Sequence, residues 1–407
     1  MNVPGPAHPL PASPTTLRAL LALAVVFVML AITGWTSVYR PEAGVSPRAT
    51  ALTEWAGARA DGRPVPPADA PVRTVARFFA SLDGAQQARL ADRYPLVVGN
   101  LNGAPAPVRY RANRVALDHA RAVERTRARD VRLSPAVRGE AGRRVHRFGS
   151  MMTEGRQILA FDPTGGGRAA EVFGDLDRAR RISVIVPGVD TDLLTFERTA
   201  RRWTAPVGMA ESLYAAQRAA APGLPTAVIA WADYTAPGGV GVDAATGRMA
   251  VDGGVRLVAL TAALPSDATT TLFCHSYGSV VCGVAASRLP RRVTDIVVAG
   301  SPGMRAGNVD ELGATAQVWA TRAQGDWIAD VPHLEVGGVG HGADPMSEDF
   351  GARLLSSAGA KNHTGYFEPG TVSVDNFAKI GTGSYASVVC APQDEACLRG
   401  ISGTEAD

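Results

Sequence analysis

Between Ile182 and Thr321, short runs of mostly apolar and β-branched residues alternate with turns and helix-length stretches. The runs are ISVIV, TAVIAW, TTTLF, DIVVAG and AQVWAT; ESLYAAQRAAA, VRLVALTAAL and SVVCGVAASRL lie among them. A strand with no polar alternation is buried on both faces, which helices crossing over a parallel sheet achieve. Strand twist makes such crossovers right-handed. The fold class is therefore α/β: a mostly parallel sheet with helices on both faces. Just upstream, RQILAFD and RAAEVFGD flank PTGGG and read as a β-hairpin. With 407 residues, 46% of them apolar, the chain can bury a sizeable core.

The α/β domain is expected over residues 151–389. Ahead of it, residues 71–150 read as helical, from VRTVARFFASL to the Arg-studded run after Arg109. Those arginines could face anionic lipid headgroups or wall polymers, but interleaved Asp118, Glu124, Asp130 and Glu140 favour a solvated helix face. Residues 39–70, rich in Pro, Gly and Ala, read as a linker. Residues 17–38, LRALLALAVVFVMLAITGWTSV, can span a bilayer, with Trp35 and Tyr39 at an interface. A cleaved signal segment and a buried core helix are the competing readings. Residues 1–16 form a polar N-terminal tail and 390–407 a C-terminal tail. An anchor or a signal would put the bulk of the chain outside the cytoplasm, membrane-anchored or secreted.

A net charge of +3 gives no reason to expect a nucleic-acid partner. Among the four cysteines, Cys390 and Cys397 are close enough to bridge in an oxidising compartment. Cys274 and Cys282 are expected to be small buried hydrophobes rather than a bridge, one on a strand and one on a helix. No CxxC pair or His-rich tract suggests a metal.

Ligands of open α/β sheets bind at the carboxyl ends of the strands. Five strand ends carry candidates there: Pro187-Gly188-Val189-Asp190, Asp233-Tyr234, Cys274-His275-Ser276-Tyr277-Gly278, Ser301-Pro302-Gly303 and Asp326. Ser276 sits on a strand-to-helix turn that lifts a hydroxyl into the site. The turn needs small residues two before and two after the serine; Gly278 supplies one, and Cys274 stands where the pattern has glycine. A nucleophile on this turn is followed in the chain by an acid and then a histidine. His363, beyond the last sheet element, is the expected base, with His341 the runner-up and His333 less suited. His275 should point elsewhere by strand alternation. Asp326 is the expected acid over Asp330 and Asp344, the last of which could instead pair with His341. Oxyanion donors would be the backbone N–H of Tyr277 and that of Val189 or Gly188.

Taken in order, NGAPAPVRYRANR, GDLDRARRISVIVPGVDTD, AVIAWADYTAPG, HSYGS, VVAGSPG, VWATRAQGDWI, HGADP, FGARLL and HTGYFEP resemble an α/β-hydrolase family first catalogued as a domain of unknown function and frequent in actinobacteria. The resemblance runs from Leu96 to Gly383 and implies the α/β-hydrolase fold and hydrolase activity, with the triad on Ser276, Asp326 and His363. Cys274 departs from the family's usual glycine. The expectation is a serine hydrolase of an ester-like, small-molecule or lipid-like acyl substrate, needing no metal or organic cofactor. A peptidase and a non-catalytic envelope binding protein on the same scaffold are the alternatives. Oligomeric state has no signature in the sequence.

Overall fold

The computed structural model describes residues 46–401. The expected tail 1–16 and the apolar segment 17–38 lie outside the described residues. Among the described residues no helix is long and apolar enough to cross a membrane.

The linker expectation fails from Ser46 onward. Ser46 Oγ accepts the Ala49 N–H at 3.1 Å and Pro47 occupies the first helical turn, so α1 forms over Pro47–Ala56. Trp55 is buried, and its indole N–H donates to the Pro66 carbonyl at 2.8 Å. The prolines that suggested a linker therefore serve as a helix start and an indole acceptor. Helices α2 (Val72–Ala80), α3 (Gly84–Arg93), α4 (Ala106–Arg129) and α5 (Pro135–Met151) follow. Trp55, Val75, Phe79, Leu90 and Ala112 share a small core of their own.

Several arginines of α4 and α5 turn inward rather than to solvent or lipid. Arg144 lies 3.0 Å from Glu124, with both side chains buried. Arg147 reaches Glu197 at 2.6 Å, and Arg109 donates to the Gly99 carbonyl at 3.2 Å. These contacts buckle the helices together and onto the sheet domain, with the aliphatic stems packed beneath.

The sheet has eight strands: β1 (Gln157–Asp162), β2 (Arg168–Gly174), β3 (Arg181–Val186), β4 (Thr226–Ala232), β5 (Thr269–His275), β6 (Val293–Ala299), β7 (Gln317–Thr321) and β8 (Arg353–Leu354). Their order across the sheet is β8-β7-β6-β5-β3-β4-β2-β1. Only β2 runs against its neighbours; β1 pairs antiparallel with it as the hairpin pattern requires. Consecutive side chains part to opposite faces. Ile182, Val184, Leu272 and Cys274 pack with α7 (Arg248–Ala263) and α8 (Tyr277–Ala285). Ile185, Phe273 and Val297 pack with α6 (Pro206–Ala220) and α9 (Val372–Thr382). The stretch from Asp190 to Ala205 is mostly irregular; α6 begins only at Pro206, whose fixed φ suits a first helical turn.

Two cysteine expectations resolve differently. Cys390 and Cys397 are bonded, with Cα atoms 5.8 Å apart. Their loop is no free tail: Ala391 N–H donates to the Leu354 carbonyl at 2.8 Å and Asp394 accepts from Leu354 N–H at 2.9 Å. It closes the exposed edge of β8. Cys274 and Cys282 are also bonded, against expectation, with Cα atoms 6.5 Å apart. Strand alternation aims Cys274 at α8, and Cys282 lies on the face of α8 packed against the sheet, so strand and helix positions meet.

The chain leaves β3 for β4 on one side of it and later inserts β5 on the other. The loops after β3 and β5 therefore part at the switch point, where a crevice opens beyond the strand ends.

Candidate active site

Ser276 stands between β5 and α8 with φ 54° and ψ −128°. A non-glycine residue in this region costs on the order of 1–3 kcal/mol and persists only where its surroundings impose it. Ser279 Oγ donates to the Ser276 carbonyl at 2.6 Å, and Ser276 N–H donates to the Ala299 carbonyl at 3.0 Å. The 274–282 disulfide spans the same turn. Gly278 has no room for a side chain, since a Cβ there would lie 2.1 Å from the Val186 carbonyl oxygen.

The three residues expected to act together do meet. His363 Nε2 lies 2.8 Å from Ser276 Oγ, and His363 Nδ1 lies 2.8 Å from Asp326 Oδ1. With Nδ1 donating to the carboxylate, Nε2 is left as an acceptor facing the hydroxyl. Asp326 sits five residues beyond β7 and caps the 3-10 turn Trp327–Asp330, accepting Ile328 N–H at 2.9 Å. Burial opposes ionisation of its carboxyl, but hydrogen bonds from His363, Tyr366 and Ile328 outweigh it, and the pKa falls below the usual carboxylate value.

Two supports have no clear signal in the sequence. Tyr366 donates to Asp326 Oδ2 while its own oxygen accepts Ala323 N–H at 2.9 Å. His275 does point away from the Ser276 hydroxyl, yet it reaches His363 from behind. Its Nε2–H donates to the His363 carbonyl at 2.6 Å. Burial, then the nearby His363 ring, pushes its pKa down to about 4, so it stays neutral. Tyr366 follows His363 by three residues in HTGYFEP, and His275 precedes the serine, so adjacency was the one available hint.

The other candidates lie elsewhere. The His341 ring packs edge-on against Tyr277 at 5.8 Å between centroids, with no carboxylate on it. Asp344 does not pair with His341; it accepts from Arg322 and lies 3.6 Å from His333. The Arg322 guanidinium, at the end of β7, competes for that carboxylate with full charge. Asp330 closes the 3-10 turn on the exposed side.

On the oxyanion side, Tyr277 opens α8, so its N–H has no helical carbonyl behind it. The loop after β3 lies against the serine: a Cβ on Gly188 would fall 2.7 Å from Ser276 Cβ. Tyr234 Oη donates to the Pro187 carbonyl at 2.6 Å, and Asp190 N–H to the Pro237 carbonyl at 2.8 Å, which hold the Gly188-Val189 stretch. Serine, base and acid with two candidate main-chain donors can carry acyl transfer.

Residues 162–336 match the family model described as "Alpha/beta hydrolase". This segment is similar to the α/β hydrolases. An uncharacterized protein of Mycobacterium tuberculosis is 27% identical over 376 residues, covering 78% of this chain and 57% of its own. The chain thus spans little more than half the length of that relative. An uncharacterized protein of Mycobacterium bovis is 32% identical over 171 residues, covering 39% of this chain and 62% of its own. Among solved structures, an α/β serine hydrolase without lid from Xanthomonas campestris aligns with 16% identity and a TM-score of 0.35, over 58% of this chain and 97% of that one. An α/β serine hydrolase homologue from Coxiella burnetii aligns with 14% identity and a TM-score of 0.31, over 57% and 98%. The matched segment contains Ser276 and Asp326, while His363 falls beyond its end.

Proposed function

We propose that the protein is a serine hydrolase acting on an ester-like carbonyl through an acyl-enzyme. The observation that carries this reading is the unbroken hydrogen-bond line from Ser276 through His363 to Asp326 at the strand ends. Ser276 Oγ attacks the carbonyl carbon as its proton passes to His363 Nε2. The carbonyl π pair moves onto oxygen, held by the Tyr277 and Val189 N–H groups. As the tetrahedral intermediate collapses, His363 gives that proton to the departing alkoxide. A water then loses a proton to His363 and attacks the acyl-serine; the same proton returns to Ser276, releasing the acid. Asp326 keeps Nδ1 protonated and stabilises the imidazolium. None of these steps calls on a metal or organic cofactor.

A fluorophosphonate probe tests this directly. We expect labelling of the wild-type protein at Ser276 and none in Ser276→Ala; a folded wild-type protein that resists the probe overturns the reading. We further propose that the hydrolase domain works outside the cytoplasm, with residues 17–38 as anchor or signal. Both cysteine pairs are bonded and no free cysteine remains among the described residues, a pattern suited to an oxidising compartment. Full alkylation of all four cysteines in protein taken from its native cells, without prior reduction, would contradict that placement.

A further inference from the structure

The rim around Ser276 is unusually apolar. Eleven large hydrophobic side chains are exposed among the described residues, and six of them lie in two segments connected to this rim: Val240, Val242, Trp327, Leu334, Val336 and Val339. Each segment is tied to a different part of the site. Trp327 follows the acid, and its ring lies 4.7 Å from the His363 ring while remaining 43% exposed. The chain then rises into a small hairpin in which Glu335–Val336 pairs with Val339–Gly340. The hairpin returns to the oxyanion side: the Arg305 N–H donates to the His341 carbonyl at 2.6 Å, and the His341 ring rests on Tyr277. Val240 and Val242 follow Gly239, whose N–H donates to the Asp190 carboxylate at 2.7 Å. The Ala244 backbone faces the His341 ring, which joins this segment to the hairpin.

Trp327 thus stands on the His363 side of Ser276, the hairpin is tied to the Tyr277 side through His341, and the 240–242 segment to the Val189 side through Asp190. Exposed clusters of this kind mark binding surfaces, because isolated exposure is ordinary but convergence is not. The occupant is fixed by what the cluster surrounds. Whatever covers these residues during turnover is continuous with the group whose carbonyl sits on Ser276.

Resting on the serine-hydrolase reading above, we propose that this rim is an acyl-chain platform and that the substrate is a lipid ester with a long apolar chain. The chain lies across the hairpin and the 240–242 loop while its carbonyl enters the oxyanion hole. Trp327, against the ring that must move a proton, shields His363 from water once the chain is in place.

The test compares p-nitrophenyl acetate with the octanoate and decanoate on the full chain. Partial burial of each methylene should raise kcat/KM about twofold per carbon, roughly 60-fold from acetate to octanoate. Val336→Asp combined with Val339→Asp changes only exposed positions. It should lower kcat/KM for decanoate at least about tenfold, leaving acetate hydrolysis and fluorophosphonate labelling within about twofold. A flat chain-length profile in protein that hydrolyses acetate overturns the platform and leaves the hydrolase reading standing. So does an equal fall on both esters, or a loss of self-association in sedimentation with chain-length preference intact. Failure to label or to hydrolyse any ester removes the hydrolase reading, and the platform with it.

Discussion

His363 and His341 both follow Ser276 in the chain, both stand in glycine-containing segments, and both come to rest beside the elbow. They differ in what stands behind the ring. His363 has Asp326 at Nδ1, held in turn by Tyr366, and a hydroxyl at Nε2. His341 has the Tyr277 ring and the Arg305 charge near it, and burial followed by that charge pushes its pKa down to about 4. One site orients an imidazole so that it can take a proton; the other keeps it neutral as packing. Proximity to a serine does not make a base, and the carboxylate behind the ring does.

The sharpest way to break this contrast is to remove each ring in turn. His363→Ala should lower hydrolysis by about 10⁴-fold or more, and His341→Ala by less than about fivefold, measured as kcat/KM on one ester. The reverse ranking would reassign the base. Asp326→Asn keeps the shape but lets Nδ1 be the wrong tautomer; kcat should fall about 10³- to 10⁴-fold with the fold intact by circular dichroism.

The buried, neutral state of His341 has a stability consequence. Its folded pKa lies below the unfolded value, so the unfolded chain binds more protons between about pH 6.5 and pH 4. Stability is therefore lost as pH falls through that window. His341→Gln should recover on the order of 2 kcal/mol of it at pH 4, read from urea midpoints at pH 7 and pH 4. An unchanged pH dependence would mean that the ring is not buried as described. A smaller effect than that of His363→Ala or Asp326→Asn belongs to Tyr366, which acts through Asp326. Tyr366→Phe should lower kcat about tenfold with KM unchanged; a matched rise in KM would point to general loosening of the loop.

The strand-end positions were legible because physics leaves few choices for them. Mostly apolar and β-branched runs such as ISVIV and TTTLF must be buried between helices, and the order serine, acid, histidine then selects Ser276, Asp326 and His363. What escaped depends on contacts across distant segments. Nothing in Pro-rich 46–70 announces that Trp55 will find the Pro66 carbonyl. Periodicity assigns His275 to the far side of β5 without saying that the loop carrying His363 folds over that same side. Cys274 and Cys282 were separated by element type, one on a strand and one on a helix, when the deciding quantity was the shared face on which they meet.

The strap across the elbow also constrains how such a chain can change over time. Its two cysteines enclose Ser276 and Tyr277, and both side chains are sealed in the core. A lineage that replaced glycine by cysteine at position 274 alone would place an unpaired thiol two residues from its nucleophile. The safer route acquires Cys282 first, as a quiet apolar filler of α8, and the elbow cysteine second. Related chains with glycine at the elbow should therefore sometimes carry a solitary cysteine eight residues later, whereas a solitary cysteine at the elbow should be rare.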